Sequence, residues 1–282
     1  MIFFQQLRGE LRKLFGRPRS WMGYGAFIFL EAVILLVYKL DQVERENMRI
    51  IARNGLDFGT YYSSLSMTFM MILLSMFTLG SIFFALVGGD IVAKESEDGN
   101  LRLVFSRPVS RFRVLLVKYL AVAFYTFTFV LAVGLAGYLM AVAAVGREGG
   151  LLVMEQIMKV FAAFPTWNEG APRLALGAVG LGVSMITLSS IAFMFSCFKI
   201  KPAAATIVTL SILFVDMILK AIEFFKPYEE WFITWRMSAW VFLLEKHIDW
   251  AKIAESYTLL FGLNATLFVI GWLAFQTRDF KT

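Results

Sequence analysis

The chain has 282 residues, 59% of them hydrophobic and 29 of them Phe, and its mean hydropathy of +0.70 excludes an ordinary soluble domain, which is nearer half apolar. A net charge of +6 comes without a basic stripe interleaved with stacking aromatics, which argues against nucleic acid as a partner. The single cysteine, Cys197, excludes an intrachain disulfide.

Residues 1–20, MIFFQQLRGELRKLFGRPRS, set Phe3, Leu7, Leu11, Leu14 and Phe15 at helical spacing, with Arg8, Arg12 and Lys13 off that stripe. The pattern predicts an amphipathic helix in the cytoplasmic membrane interface. Pro18 ends it and turns the chain into the bilayer. Such a segment serves either as a basic anchor or as an elbow that also meets a cytoplasmic partner.

Residues 21–282 contain six apolar runs, each long enough for the roughly 20-residue span of a transmembrane helix. They are Trp21 to Tyr38, Leu65 to Gly89, about Leu115 to Val145, Leu174 to Phe198, Ala203 to about Ile222, and Ser256 to Phe275. The fold class is therefore an all-α membrane protein with six transmembrane helices. The third run exceeds a straight crossing, so its first turns, with Lys118 at their edge, belong to the interface or beyond.

Two outer segments separate the spans, 146–173 and 220–255. Leu151 to Phe164, at 14 residues, is too short to cross, and an interfacial helix is expected there. "YEEWFITWRMSAWVFLLEKHIDW" alternates Trp with charge, the habit of the water–lipid boundary. Short lateral or re-entrant helices are expected in it, acting as an aromatic belt or as a lid.

An even number of spans puts both termini on one side, and basic residues are denser in the pieces that share that side. Fifteen Lys and Arg fall there against twelve in the longer outer pieces, which predicts cytoplasmic N- and C-termini.

Between the second and third spans lies "DIVAKESEDGNLRLVFSRPVSRFRVLLVK", residues 90–118. Asp90, Glu95, Glu97 and Asp98 cluster around Lys94; after Gly99 the sign reverses to Arg102, Arg107, Arg111, Arg113 and Lys118. An acidic then basic layout suits a short helix held off the membrane and a return into anionic headgroups. A solvated, membrane-hugging loop is the plainer alternative.

This segment resembles the loop between the second and third spans of ABC-2 type transporter permeases, through Glu95, Gly99, Leu101, Ser106, Pro108, Val109, Ser110, Arg111 and Lys118. Asn100 departs from a Thr that is common nearby. The resemblance implies a permease subunit of an ABC exporter in a bacterial inner membrane, paired with a second permease chain as homodimer or heterodimer. A separate cytoplasmic ATPase would bind the ATP and Mg, leaving no cofactor and no enzyme activity in this chain. It further implies that 90–118 is a coupling loop on the ATPase, with Lys94, Glu95, Glu97 and Asp98 docking and Gly99 and Arg102 in the same coupling element. Arg102, Arg107 and Arg111 are expected nearer to lipid or to the dimer mate.

Two acids fall inside spans, Glu31 in the first and Asp216 in the fifth. Charge at that depth costs roughly 2.5–3.5 kcal/mol on insertion scales and tends to face a protein interior or wet cavity, so both are candidates for a substrate path. For Asp216 an i, i+4 pair with Lys220 is the alternative. Two rival functions remain at this stage: a membrane enzyme acting on lipid or cell-wall precursors, and a structural anchor. The chain has no phosphate-cradling loop, no His-Glu-x-x-His and no Gly-x-Ser-x-Gly, and its one histidine is His247.

Overall fold

The structure, a computed structural model, describes residues 2–106, 109–155 and 158–278, with Ile2 and Arg102 as backbone only. Arg107, Pro108 and the Arg102 side chain, named above, therefore lie outside the described parts.

In chain order the elements are α1 (Ile2–Gly16), α2 (Pro18–Tyr38), α3 (Asp41–Arg53), α4 (Phe58–Tyr61), α5 (Ser64–Ser75), a π-helical turn (Met76–Gly80), α6 (Ser81–Glu97), α7 (Asn100–Phe105) and α8 (Arg111–Val145). A hairpin of β1 (Leu151–Glu155) and β2 (Val160–Phe164) follows, then α9 (Trp167–Ser196) and α10 (Pro202–Ala221). A 3-10 turn (Glu223–Trp231), α11 (Ile233–Met237), a second 3-10 turn (Ser238–Leu244) and α12 (Trp250–Gln276) complete the described chain.

Six helices are long and apolar enough to cross a membrane: α2, the continuous Ser64–Glu97, α8, α9, α10 and α12. They coincide with the six runs read from the sequence. α9 forms the centre, with 67% of its apolar window buried, against 22% for α2, 17% for α10 and 22% for α12. α9 packs on α6, α8 and α12, and a Cβ added at Gly88 of α6 would lie 2.6 Å from the Ser189 carbonyl of α9. Glycine there lets the two backbones close together.

α8 has 35 residues, about 52 Å at 1.5 Å each, well beyond the roughly 30 Å hydrocarbon core. Its first turns are packed between α1 and the end of α12. Leu7, Leu11, Leu14 and Phe15 of the amphipathic stripe join the main core, and Phe15 meets Tyr125 of α8 at 5.0 Å between ring centroids. The apolar face of α1 is thus turned toward protein.

Leu151–Phe164 is an antiparallel hairpin, not the expected interfacial helix: Leu151 pairs with Phe164 and Glu155 with Val160. Two short apolar runs, Leu151–Met154 and Val160–Phe164, on either side of Glu155 and Lys159 suit two short strands. Lys159 takes a φ of 55°, in the left-handed region a helix interior does not use. Leu151 and Val153 enter the core, and Ser63, the N-cap of α5, donates its hydroxyl to the Gly150 carbonyl. Leu152 N donates to Ser66 Oγ at 2.9 Å, so the hairpin is bolted to the start of the second span.

The 220–255 segment does form short helices. Its tryptophans divide: Trp235 and Trp240 are core residues, whereas Trp231 and Trp250 are exposed. Only the latter pair fits an aromatic belt. The α3 helix, in the loop after the first span, is an additional element to which the sequence reading assigned no structure.

Candidate coupling site

α6 ends in a glycine turn. The Asp98 amide donates to the Lys94 carbonyl at 2.9 Å and the Gly99 amide to that of Ser96 at 3.2 Å, while Gly99 itself has φ +73°. A left-handed residue just past a helix end satisfies the last carbonyls and redirects the chain, and α7 starts at the next residue. Leu101 of α7 is anchored at 1% exposure; Leu103 stands out at 73%. Glu97, Asp98 and Asn100 are exposed around it and Lys94 is half-buried. The tip therefore shows two acids and an apolar knob.

Glu95 is not part of that surface. It is buried and turned inward, where its Oε2 accepts from Lys118 Nζ at 2.6 Å. The same ammonium donates to Glu10 Oε2 of α1 at 2.9 Å. Lys13 bridges Glu10 Oε1 at 2.7 Å and Glu95 Oε1 at 3.6 Å, and Arg17 stands 3.9 Å from Glu95 Oε1. Two carboxylates and three cations from α1, the α1–α2 joint, α6 and α8 thus share one site. Buried charges are tolerated when multiply paired and hydrogen-bonded, and here the only acid on α1 and the only lysine on α8 each find a partner.

Burial alone would push the Glu10 carboxyl up, but Lys118 and Lys13 outweigh it and hold it below its ordinary value. For Lys13, burial favours the neutral amine, yet Glu10 and Glu95 prevail and its pKa is raised.

Further contacts close the same end of the bundle. Arg19, at the start of α2, pairs with Asp90 of α6. Arg278 donates to Ser96 Oγ at 2.7 Å. Arg111 donates to the carbonyls of Gln276 at 2.7 Å and Arg278 at 2.9 Å, capping the end of α12. The sequence reading put Arg111 nearer to lipid or a dimer mate; the structure places it on the protein's own last helix.

The two span acids part company. Asp216 is half-buried and accepts the amides of Ile233 at 3.0 Å and Thr234 at 2.9 Å, so it caps the short α11. Glu31 is fully buried, and among the described residues neither of its oxygens has a hydrogen-bond partner. It lies in the seam between α2 and α8, where a Cβ added at Gly137 would meet Oε1 at 3.0 Å. Gly137 makes room for the carboxylate.

Glu10, Lys13 and Arg17 were not singled out from the sequence as site residues. A partial signal was available: Lys118 lies in an apolar run, and a lysine at that depth calls for a carboxylate at the same level, with Glu10 among the few acids on that side.

Six apolar helices with α9 at their centre, and a charged tip carried on the second span, define a multi-pass membrane protein. The family model for ABC-2 family transporter proteins matches residues 10–225, most of the chain, and the chain belongs to that family, as a transporter transmembrane subunit. The match begins at Glu10 itself and takes in the charged tip and the first five spans. No curated protein sequence matches significantly.

Proposed function

We propose that this subunit is the permease half of an ATP-driven exporter, in which a separate cytoplasmic ATPase, binding ATP and Mg, docks on the tip of residues 94–103. Two permease chains would form the pathway, in a bacterial inner membrane with both termini cytoplasmic. The observation that carries this reading is the tip itself, because Glu97, Asp98 and Leu103 project from a segment fixed behind by the Glu95–Lys118–Glu10 cluster. Lys94 and Gly99 shape that surface, and Arg102 belongs to the same short helix.

A push on such a tip is passed to α6, because the ion cluster resists independent movement of α6, α8 and α1. Displacement of packed helices as rigid bodies is a recurrent switching device, and it fits alternating access between protomers. As candidates for the substrate path, Glu31 is favoured over Asp216, whose carboxylate is already occupied by two amides.

The test is co-purification of the full chain with a co-expressed candidate ABC ATPase, compared with Glu97→Lys/Asp98→Lys and Leu103→Asp. Loss of the complex and of stimulated ATP hydrolysis in both variants, with thermal stability retained, is the expected result. Unchanged assembly in both would overturn the reading.

A further inference from the structure

At the end of the bundle opposite the charged tip, a cleft of about 470 Å³ opens between the first turns of α9 and α12, lined by Arg173, Leu176, Lys246, His247, Ile248 and Trp250. Three of these side chains are basic or can become so, and no acid lines the cleft. None of the three forms an ion pair among the described residues. Arg173 is steadied by donating to the Lys246 carbonyl at 3.4 Å and by lying 5.7 Å from the Phe164 ring centroid. Asp249, the nearest acid in sequence to Trp250, turns its carboxylate to the amides of Ala251 and Lys252 at the start of α12.

The depth of the cleft can be read from α9. From Leu174 to its end at Ser196 the helix runs about 34 Å, close to the roughly 30 Å of a hydrocarbon core. Arg173 therefore stands at the boundary where phosphate headgroups lie, and exposed Trp250 is the interfacial residue type for that level. Below Arg173, α9 is otherwise mostly buried, yet Leu176 is half-buried and Val179 and Val183 are exposed. Their spacing of three and seven residues puts them on one face, an apolar track descending from the basic cleft.

We propose that this cleft binds an anionic phospholipid, with the phosphate held by Arg173, Lys246 and His247 and an acyl chain along Leu176, Val179 and Val183. Charge complementarity selects the headgroup, and the track beneath it selects a lipid over a soluble anion. The site is independent of the ATPase reading.

The test is native mass spectrometry of the delipidated full chain titrated with phosphatidylglycerol, phosphatidylcholine or glycerol 3-phosphate. Wild-type protein is expected to bind phosphatidylglycerol about tenfold more tightly than either comparator. Arg173→Gln/Lys246→Gln should abolish that preference, as should Lys246→Gln/His247→Gln, which changes only exposed side chains and spares the fold. Val179→Ser/Val183→Ser should weaken both phospholipids and leave glycerol 3-phosphate unchanged, and Lys226→Gln, a base elsewhere at the same end, should change nothing. Equal binding of phosphatidylcholine, equal binding of glycerol 3-phosphate, or an unaltered preference in both basic-site variants would each overturn the proposal.

Discussion

Lys118 and Glu95 meet at 2.6 Å with side-chain exposures of 3% and 7%, and they join the start of the third transmembrane helix to the end of the second. Removing Lys118 takes the shortest contact from Glu95, which keeps only Lys13 at 3.6 Å and Arg17 at 3.9 Å, and also takes a partner from Glu10; breaking a buried pair costs up to about 3–5 kcal/mol. Lys118→Met should therefore lower the thermal midpoint of the detergent-solubilised protein sharply. Lys118→Met/Glu95→Met should recover part of the loss, since apolar replacement of a buried pair is often neutral while Glu10 keeps Lys13 as its partner. If the double variant is no more stable than the single, the pair is not the source of the effect.

The pH response of this cluster has a defined sign. Glu10 has a lowered pKa, so the stability it contributes is complete above its ordinary value and is lost as pH falls through the lowered one. Lys13 has a raised pKa, so its contribution is complete below its ordinary value and is lost as pH rises through the raised one. Docking of α1 should thus hold across the interval between the ordinary values of Glu and Lys, from about 4.3 to about 10.4. Hydrogen-exchange protection factors of residues 2–16, corrected for the intrinsic pH dependence of exchange, flat over neutral pH and falling in acid below that interval, are the expected profile; a transition near neutrality would contradict it.

Gly99 is a test of the tip alone. With nothing within 4 Å of an added Cβ, Gly99→Ala introduces only the left-handed backbone penalty, about 1–2 kcal/mol for an L-residue. The global thermal midpoint should shift little, while amide exchange across residues 97–105 should quicken several-fold. Gly99→Asn, which tolerates that conformation better, should lie between the two.

Gly137 and Glu31 form a size-complementary pair across α2 and α8. Gly137→Ala crowds the carboxylate, and overpacking of this kind costs about 1–3 kcal/mol. Glu31→Ala in the same chain should relieve it, so a double-mutant cycle on thermal stability should show interaction of at least about 0.5 kcal/mol. Simple additivity would mean the two do not touch.

Asp216→Ala removes a helix cap and should cost about 0.5–2 kcal/mol, read locally as faster exchange of the Ile233 and Thr234 amides. Exchange at those two amides matching the wild type would remove Asp216 from that capping role.

The six spans were legible because each is a run of about 20 residues with almost no charge, a signal set by bilayer thickness. The charged loop was equally plain against its apolar flanks. The direction of its side chains was not: Glu95 and Glu97 differ by two positions on one helix, and only the arrival of Glu10 and Lys118 from distant parts of the chain turns Glu95 inward. Arg111 likewise finds carbonyls at the far end of the sequence. Leu151–Phe164 is a hairpin where a helix was expected because 11 apolar residues among 14 satisfy a short helix and two strands about equally; length and composition cannot arbitrate without the polar middle being weighed as a turn.

The π-helical turn at Met76–Gly80 has a geometric consequence for the whole subunit. Such a turn carries one residue more than the regular repeat, and one residue corresponds to about 100° of rotation about the helix axis. Ser63 and Ser66, fastened to the hairpin, and Glu95, fastened to Lys118, keep their bearings relative to each other only because of that surplus residue. A chain shortened by one position there would have to choose which of its two moorings to abandon.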